Sequence, residues 1–483
     1  MAAASHSGGV GFRSDRGPIL IALMLSTALV AIDSTIIATA VPSVVKDLGG
    51  FSQFPWLFSI YLLAQAVSVP IYGRLADMYG RKPVMLVGIG LFLLGSILCG
   101  LAWNMPALIA FRLIQGLGAG AVLPMSVTIA GDIYTLQERA KAQGYIASVW
   151  AISSVVGPTL GGVFSDFISW RWIFFVNIPL CLLAGLLVWL NLRERFERTK
   201  QTIDYAGAIL LTGGSTLLLL GLLEGGQAWA WESPLSFGVF GLSLAMLVAF
   251  VLVERRAAHP ILPLWIFKRR VIVASSITSA GVGAIMLGLS SYVPTFAQQV
   301  LGTSALIAGF ALAALTIGWP IAAAQSGRLY LRIGFRATGM IGTGLVVAGT
   351  GLMLLIGAHS PVWLVALFCF VIGGGMGLVA TPTLIAAQSS VGWSERGVVT
   401  GTNLFARSIG SAIGVAVLGA IVNAKLGAHA GDPSPAELTA AVHLVFIALA
   451  VVAVGALIAV SFMPKGVPEA PAPVDSQTEP AAA

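Results

Sequence analysis

The sequence predicts an all-α integral membrane protein of fourteen transmembrane helices, built as two six-helix pseudo-repeat bundles with two further helices inserted between them. Three observations carry that prediction. The 483 residues are 57% hydrophobic and only 9% charged, with a mean hydropathy of +0.94. Soluble domains run nearer half apolar and about a quarter charged, so the solvent for this surface must be lipid. Second, Lys and Arg crowd onto alternate loops. Third, glycine and charge patterns recur along the chain at nearly one offset.

Charge-poor runs of about 20 residues are long enough to cross a hydrocarbon core. Fourteen are found, at 18–41, 55–73, 83–102, 106–131, 141–165, 172–192, 204–223, 236–253, 271–294, 305–326, 338–357, 361–387, 398–424 and 440–463. The even count places both termini on one side. Of 26 Lys and Arg residues, only Lys46, Arg171 and Lys425 fall in loops of the other side, and Arg112 and Arg407 fall within spans. Basic loops mark the cytoplasm, so both termini are expected there, in a multi-pass inner-membrane protein. The net charge of +7 is then a topology signal, too scattered for a nucleic-acid surface. Ala38-Thr39-Ala40 imitates a signal cleavage site, but Asp33 interrupts the apolar run, and the segment is expected to persist as the first helix. Cys99, Cys181 and Cys369 all fall within spans and read as small packing groups.

The repeat sets the domain plan. Gly73-Arg74-Leu75 returns as Gly327-Arg328-Leu329, and Gly80 matches Gly334. Gly116-Leu117-Gly118-Ala119-Gly120 returns as Gly373-Gly374-Gly375-Met376-Gly377, Glu138-Arg139 as Glu395-Arg396, Gly144 as Gly401 and Gly157 as Gly414. Duplicated six-helix halves are a known transporter plan. The expected layout is a cytoplasmic N-terminal tail (1–17), an N-terminal bundle (18–192), two inserted helices with their linkers (193–270), a C-terminal bundle (271–463) and a disordered cytoplasmic tail (464–483). The head up to about Gly11 is expected to be disordered too. The second copy lacks polar residues of the first: Leu331 stands for Asp77, Cys369 for Arg112, and Asp33 faces an apolar stretch near Ile285.

Asp33 is the acid set deep in a span, where a carboxylate costs about 2.5–3.5 kcal/mol on insertion scales. That cost points to function or to a structural ion pair. Asp33 lies roughly 22 Å from the inner face and Arg112 roughly 9 Å from the outer face at 1.5 Å per residue. In a core of about 30 Å the two share a depth, so they are expected to meet. Desolvation and a nearby cation act on such a carboxylate in opposite directions, which suits a group that loads and releases a proton.

Gly73-Arg74-Leu75-Ala76-Asp77-Met78-Tyr79-Gly80-Arg81-Lys82 packs cations and a carboxylate between two apolar spans. It resembles the signature loop of the major facilitator superfamily. Phe111-Arg112-Leu113-Ile114-Gln115-Gly116 resembles that family's fourth-helix motif, and Gly157-Pro158-Thr159-Leu160-Gly161-Gly162 its antiporter motif. Trp170-Arg171-Trp172-Ile173-Phe174-Phe175-Val176-Asn177-Ile178-Pro179, together with the first span from Leu29 to Pro42, is similar to the fourteen-helix drug:proton antiporter group.

The resemblance implies a proton-coupled secondary exporter of amphipathic or lipophilic compounds, of the multidrug efflux type, working by alternating access. It implies proton coupling at Asp33 and Arg112, and conformational gating at Gly73, Asp77, Gly80, Arg81 and Asp132. The gate aspartate would meet the start of span 13, near Arg396 to Val398. The antiporter motif falls on Gly157, Pro158, Gly161 and Gly162, whose proline bends a helix and whose glycines admit a close neighbour.

Polar and aromatic residues on the spans that could line a substrate cavity are Tyr61, Gln65, Trp150, Tyr292, Gln298, Asn403 and Arg407. Arg407 reads equally as a cavity residue or a structural anchor. The expected partners are a small amphipathic substrate, protons and the bilayer, with a monomer as the working unit and no cofactor or metal. The chain has no Gly-Lys dipeptide, so a phosphate-binding P-loop is absent and ATP hydrolysis is excluded. Three rivals stand beside this reading: the same fold exporting one lipid or secreted metabolite; a multi-span membrane enzyme, for which no catalytic His/Asp or Cys/His cluster is found; and an ion channel, against which the two-fold repeat and the single deep acid argue.

Overall fold

The computed structural model describes residues 9–49, 56–194, 204–226, 229–257, 260, 262–303, 305–426 and 434–465. The expected tail disorder at 1–8 and 466–483, and the basic residues Arg195, Arg198 and Lys200, lie outside them. The described elements are helical: α1(Gly17–Leu48), α2(Trp56–Tyr79), α3(Arg81–Gly100), α4(Met105–Ile133), α5(Leu136–Phe167), α6(Trp172–Phe175), α7(Asn177–Asn191), α8(Tyr205–Glu224), α9(Pro234–Glu254), α10(Arg270–Gln299), α11(Ala305–Met353), α12(Val362–Ser389), α13(Arg396–Leu426) and α14(Pro435–Ser461). Among the described residues, thirteen stretches are long and apolar enough to cross a membrane, α6 and α7 together forming one. The 47-residue stretch Ile307–Met353 would be roughly 70 Å long at 1.5 Å per residue, over twice a core of about 30 Å. It folds back at Gly334, whose φ of 86° and ψ of 163° are not helical. Divided there, the spans number fourteen.

Helix ends fall where sequence supplies caps. Asn104 accepts from the Ala107 amide at the start of α4. Asp204 caps α8, and Ser233 caps α9. Thr135–Glu138 and Ser434–Glu437 form reciprocal capping boxes on α5 and α14. Several helices outrun their apolar runs; α1 continues to Leu48 and α2 to Tyr79. Apolar length fixes the part in lipid, and capping fixes the helix end. The head also differs from expectation. Val10 is buried in the core of the first helices, and Phe12 lies 5.3 Å from the Tyr145 ring.

One core gathers Leu23, Phe92, Met125, Ile146 and Cys181 from the first seven helices. A second gathers Ile285, Leu315, Val346, Cys369 and Phe446 from α10 to α14. Their inner contacts repeat. A methyl group on Gly116, Gly118 or Gly120 would strike the backbone at Tyr61, Phe92 or Gln65; on Gly373, Gly375 or Gly377 it would strike Leu315, Val346 or Trp319. Each partner in the second set lies 254 residues after its counterpart in the first, so the sequence repeat is a repeat of helix approach. The two turns match as well: Gly80 has φ 96° and ψ 160°, close to Gly334.

Between the cores, α8 and α9 form a hairpin in which Ser243 Oγ donates to Gly214 O at 2.8 Å. Leu219 and Leu222 of α8 pack on Leu63 and Val67 of α2 and on Ile409 and Ala412 of α13. The hairpin therefore covers a seam between α2 and α13. Its other face, with Leu235, Phe237 and Leu244, is exposed, as lipid requires.

Candidate functional site

Asp33 and Arg112 meet inside the first core. Arg112 Nη1 donates to Asp33 Oδ2 at 2.6 Å, and each side chain is 1% exposed. Gln115, one turn along α4, donates from Nε2 to Asp33 Oδ1 at 2.8 Å and accepts from Arg112 Nη1 at 2.7 Å. Its Nε2 also donates to Ser96 Oγ at 2.8 Å, and Arg112 Nε donates to Leu57 O at 3.1 Å. The guanidinium lies 4.1 Å from the Tyr61 ring centre. A buried ion pair survives only when its remaining hydrogen-bonding capacity is met, and here α1, α2, α3 and α4 all contribute to meeting it.

A second polar network closes one end of the bundle, the end where Arg74, Arg81, Arg139 and Arg396 gather. Asp77 accepts from the backbone amides of Gly397 at 3.0 Å and Val398 at 2.8 Å. These are the first turn of α13, where free amides and the helix dipole favour an anion. Arg81 joins Asp77 at 2.9 Å to Asp132 at 3.1 Å. It also donates to Trp393 O at 2.6 Å and lies 3.6 Å from the Trp393 ring centre. Asp132 in turn pairs with Arg396 at 2.9 Å. Glu194 accepts from the Arg81 and Lys82 amides at 2.9 and 3.0 Å, capping α3. Residues of α2, α3, α4 and α13 are thus tied into one lattice across the two cores.

Above this lattice lies a cavity of about 290 Å³. Thr27, Gln65, Val69, Leu123, Gln143 and Trp150 line it from the first core; Met286, Leu315, Trp319, Thr381, Leu404 and Arg407 line it from the second. One turn nearer the basic end, the helices touch backbone to backbone. A methyl on Gly73 would strike Gly397 O, on Gly144 the Ala324 backbone and side chain, and on Gly131 the Gln388 amide. Tyr330 Oη donates to Leu136 O, and Arg139 Nη1 to Ser389 Oγ at 3.0 Å. The cavity is closed at the basic end. At the opposite end, Asp47 accepts from Arg171 Nη1 at 2.7 Å and Trp170 Nε1 at 3.0 Å. Those two bonds, Arg171 first, hold the Asp47 carboxyl below its ordinary value of 3.8.

The profile of the Major Facilitator Superfamily matches residues 23–415. The chain belongs to that superfamily. It is 37% identical over 419 residues to the multidrug transporter protein MdtP of Bacillus subtilis (strain 168), covering 86% of this chain and 77% of the relative. Identity to multidrug resistance protein 3 of the same organism is 37% over 407 residues, covering 83% and 79%. The efflux pump dotC of Dothistroma septosporum (strain NZE10 / CBS 128990) is 32% identical over 404 residues, covering 82% and 70%. The solved structure of the human organic anion transporter MFSD10 (TETRAN) superposes with a TM-score of 0.65 over 92% of this chain and 99% of that one, at 16% identity; that likeness speaks to the fold alone. The chain is a multi-pass major facilitator transporter related to multidrug efflux pumps.

Within this superfamily frame, the structure brings together some of the residues singled out by sequence and separates others. Asp33 meets Arg112, and Asp77, Arg81 and Asp132 share one network. Of the seven cavity candidates, Gln65, Trp150 and Arg407 line the cavity. The other four stand elsewhere. Tyr61 is buried under Arg112, and Tyr292 packs on the second core. Gln298 is exposed near the end of α10. Asn403 is clamped to α10 by Ser275 Oγ at 2.8 Å and Ser279 Oγ at 3.0 Å. Position along a span is legible in sequence; rotation about the helix axis is not.

The glycines of the antiporter motif differ in their surroundings. Gly157 sits against Thr35 of α1, whereas Gly162 has nothing within 4 Å of a notional methyl. The motif's close approach is thus carried at Gly157, and α5 continues as a helix through Pro158. Sequence reasoning missed Gln115, Ser96 and Glu194. Gln115 had a signal, since it lies three residues after Arg112 and so on the same helix face. Trp393 and Glu194 reach the Arg81 network from distant segments and had none.

Proposed function

We propose that this transporter is a proton-coupled exporter of amphipathic or lipophilic small molecules. It exchanges substrate for protons by alternating access between its two six-helix halves, and lies in the cytoplasmic (inner) membrane with both termini inside. On that orientation the basic end is cytoplasmic, and the closed floor belongs to the outward-facing half of the cycle. Asp33 is the proton carrier and Arg112 its counter-ion, with Gln115 holding both in register. Gly73, Asp77, Gly80, Arg81 and Asp132 form the cytoplasmic gate. Gly157 keeps α5 close to α1 at Thr35, beside Asp33, and Pro158, Gly161 and Gly162 complete the antiporter motif on the same helix.

The observation that carries the reading is the Asp33–Arg112–Gln115 cluster. A carboxylate buried this deeply in lipid-facing protein is costly, and a proton on Asp33 would cancel the charge that Arg112 balances. The pair would then loosen, freeing α1 to move relative to α4. Protons entering down the membrane potential gain about 2.3 kcal/mol per 100 mV, enough to bias a two-state cycle. The multidrug names of the relatives support a small-molecule cargo. The test is uptake into inverted vesicles under an imposed proton gradient, with a panel of dyes and biocides. Wild-type protein is expected to accumulate several of them, and Asp33→Asn none, at equal membrane level. Gradient-driven accumulation by the mutant would refute the coupling, and cargo confined to one lipid or metabolite would refute the breadth.

A further inference from the structure

Asp33 and Arg112 satisfy each other, but the second arginine inside the spans has no such partner. Arg407 has no carboxylate at ion-pair distance among the described residues. Its Nε is 3.4 Å from Ser279 Oγ, and its guanidinium lies 5.6 Å from the Trp319 ring centre. A guanidinium carries five N–H donors, so most of this one's capacity is unspent on protein. The side chain is partly accessible, and it lines the cavity. Arg407 is the charged residue of that wall: the other described lining residues are apolar, aromatic, hydroxyl or amide, with no carboxylate among them. Trp150, Trp319, Leu315 and Leu404 supply apolar surface, and Gln65 and Gln143 neutral hydrogen bonding.

We infer that the cavity takes an amphipathic organic anion, whose carboxylate or sulfonate pairs with Arg407 while its apolar body lies along Trp150, Trp319 and the leucines. The inference rests on the transporter reading above but not on its direction or its proton coupling. A cation entering this space meets an unscreened like charge, strengthened by the low dielectric of the spans. A neutral molecule displaces water from the guanidinium without replacing its bonds. An anion offers the planar, two-point acceptor that a guanidinium fits. A volume of about 290 Å³ is at the lower edge of ligand pockets, roughly 300–1,000 Å³, and suits a body of one or two rings.

The test is equilibrium binding to purified full-length protein in detergent, using three compounds on one naphthylmethyl frame: naphthalene-1-acetate, naphthalene-1-acetamide and 1-naphthylmethylammonium. The acetate is expected to bind roughly tenfold to a hundredfold tighter than the amide, and the ammonium weakest. Arg407→Gln should erase the gap between acetate and amide, and Arg407→Lys should preserve the order with a smaller gap. Size-exclusion profile and thermal unfolding report folding of each variant. If Arg407→Gln is not recovered folded, the wild-type order and Arg407→Lys decide. Equal or tighter binding of the amide or ammonium, no acetate binding at millimolar concentration, or an undiminished gap in folded Arg407→Gln would each overturn the inference. Because no gradient is imposed, those outcomes leave proton-driven export to be judged by Asp33→Asn alone.

Discussion

The two halves share a backbone plan and differ in what they bury. In the first half Asp33, Ser96, Arg112 and Gln115 form a closed polar cluster. At the corresponding places in the second half stand Ile285, Thr350, Cys369 and Ile372, all buried. Thr350 spends its hydroxyl on its own helix, at Val346 O. The glycine contacts around both sets coincide, so helix approach is fixed by small residues and tolerates either filling. A fold of this kind can concentrate titratable chemistry in one half and leave the other as an apolar counterweight. The basic-end contacts repeat the lesson. Gly73 abuts Gly397 and Gly327 abuts Ala140 in equivalent places. Yet Asp77 ties the first contact to a helix end, while its counterpart Leu331 is 44% exposed.

The largest effect should come from breaking the polar half alone. Arg112→Ala strands a buried carboxylate, and loss of one partner of a buried pair costs about 3–5 kcal/mol. Cys369→Ala at the matching place should cost about 1 kcal/mol, as ordinary substitutions do. Thermal unfolding of the two purified variants should therefore separate clearly, and equal losses would mean that the buried pair is structurally neutral.

Next comes the gate. Asp77→Asn weakens two bonds to backbone amides and one to Arg81, each charged bond being worth about 1.5–3 kcal/mol. Cysteines placed at cavity positions such as Val69 or Leu404 should become several times more reactive from the basic end, while Leu331→Asn leaves them unchanged. Equal labelling of both variants would remove Asp77 from the gate. A smaller loss of closure is expected from Gly73→Ala, whose new methyl would lie 2.7 Å from Gly397 O. Gly344→Ala, which meets nothing within 4 Å, should leave the same labelling unaltered.

The smallest effect belongs to the opposite end. Arg171 and Trp170 lower the Asp47 carboxyl from 3.8. A depressed folded-state value means that the contribution is complete above the unfolded value and is lost as pH falls through the folded one. Asp47→Asn should therefore change stability by less than about 1 kcal/mol at neutral pH, as exposed pairs do. The difference from wild type should vanish only below about pH 4, near the reference value for aspartate. A pH-unfolding series checks both.

Much of this fold was legible because lipid imposes a simple rule on sequence. Twenty apolar residues make a span, and the charges between spans give its direction. The break at Gly334 was legible too, since it falls between the runs 305–326 and 338–357. The depth match of Asp33 and Arg112 followed from counting residues at a fixed rise. What counting could not supply was azimuth. Asn403 and Arg407 lie one turn apart on one helix, yet one is clamped into α10 and the other opens on the cavity. Long-range partners such as Trp393 and Glu194 were equally invisible, since nothing in their local sequence encodes which distant loop they meet.

Thr27 and Asp33 sit on the same helix, six residues apart, or roughly 9 Å at 1.5 Å per residue. One faces the cavity and the other is sealed in the polar cluster. Cargo and proton would therefore occupy separate rooms joined by a rod, and need not compete for space. An inhibitor wedged in the cavity would jam the rod without displacing the proton, and should act non-competitively toward it. On the proposed function, selection for new cargo can likewise rework Leu123, Trp150 or Thr381 while the Asp33 cluster stays untouched, so breadth of cargo and source of power can evolve apart.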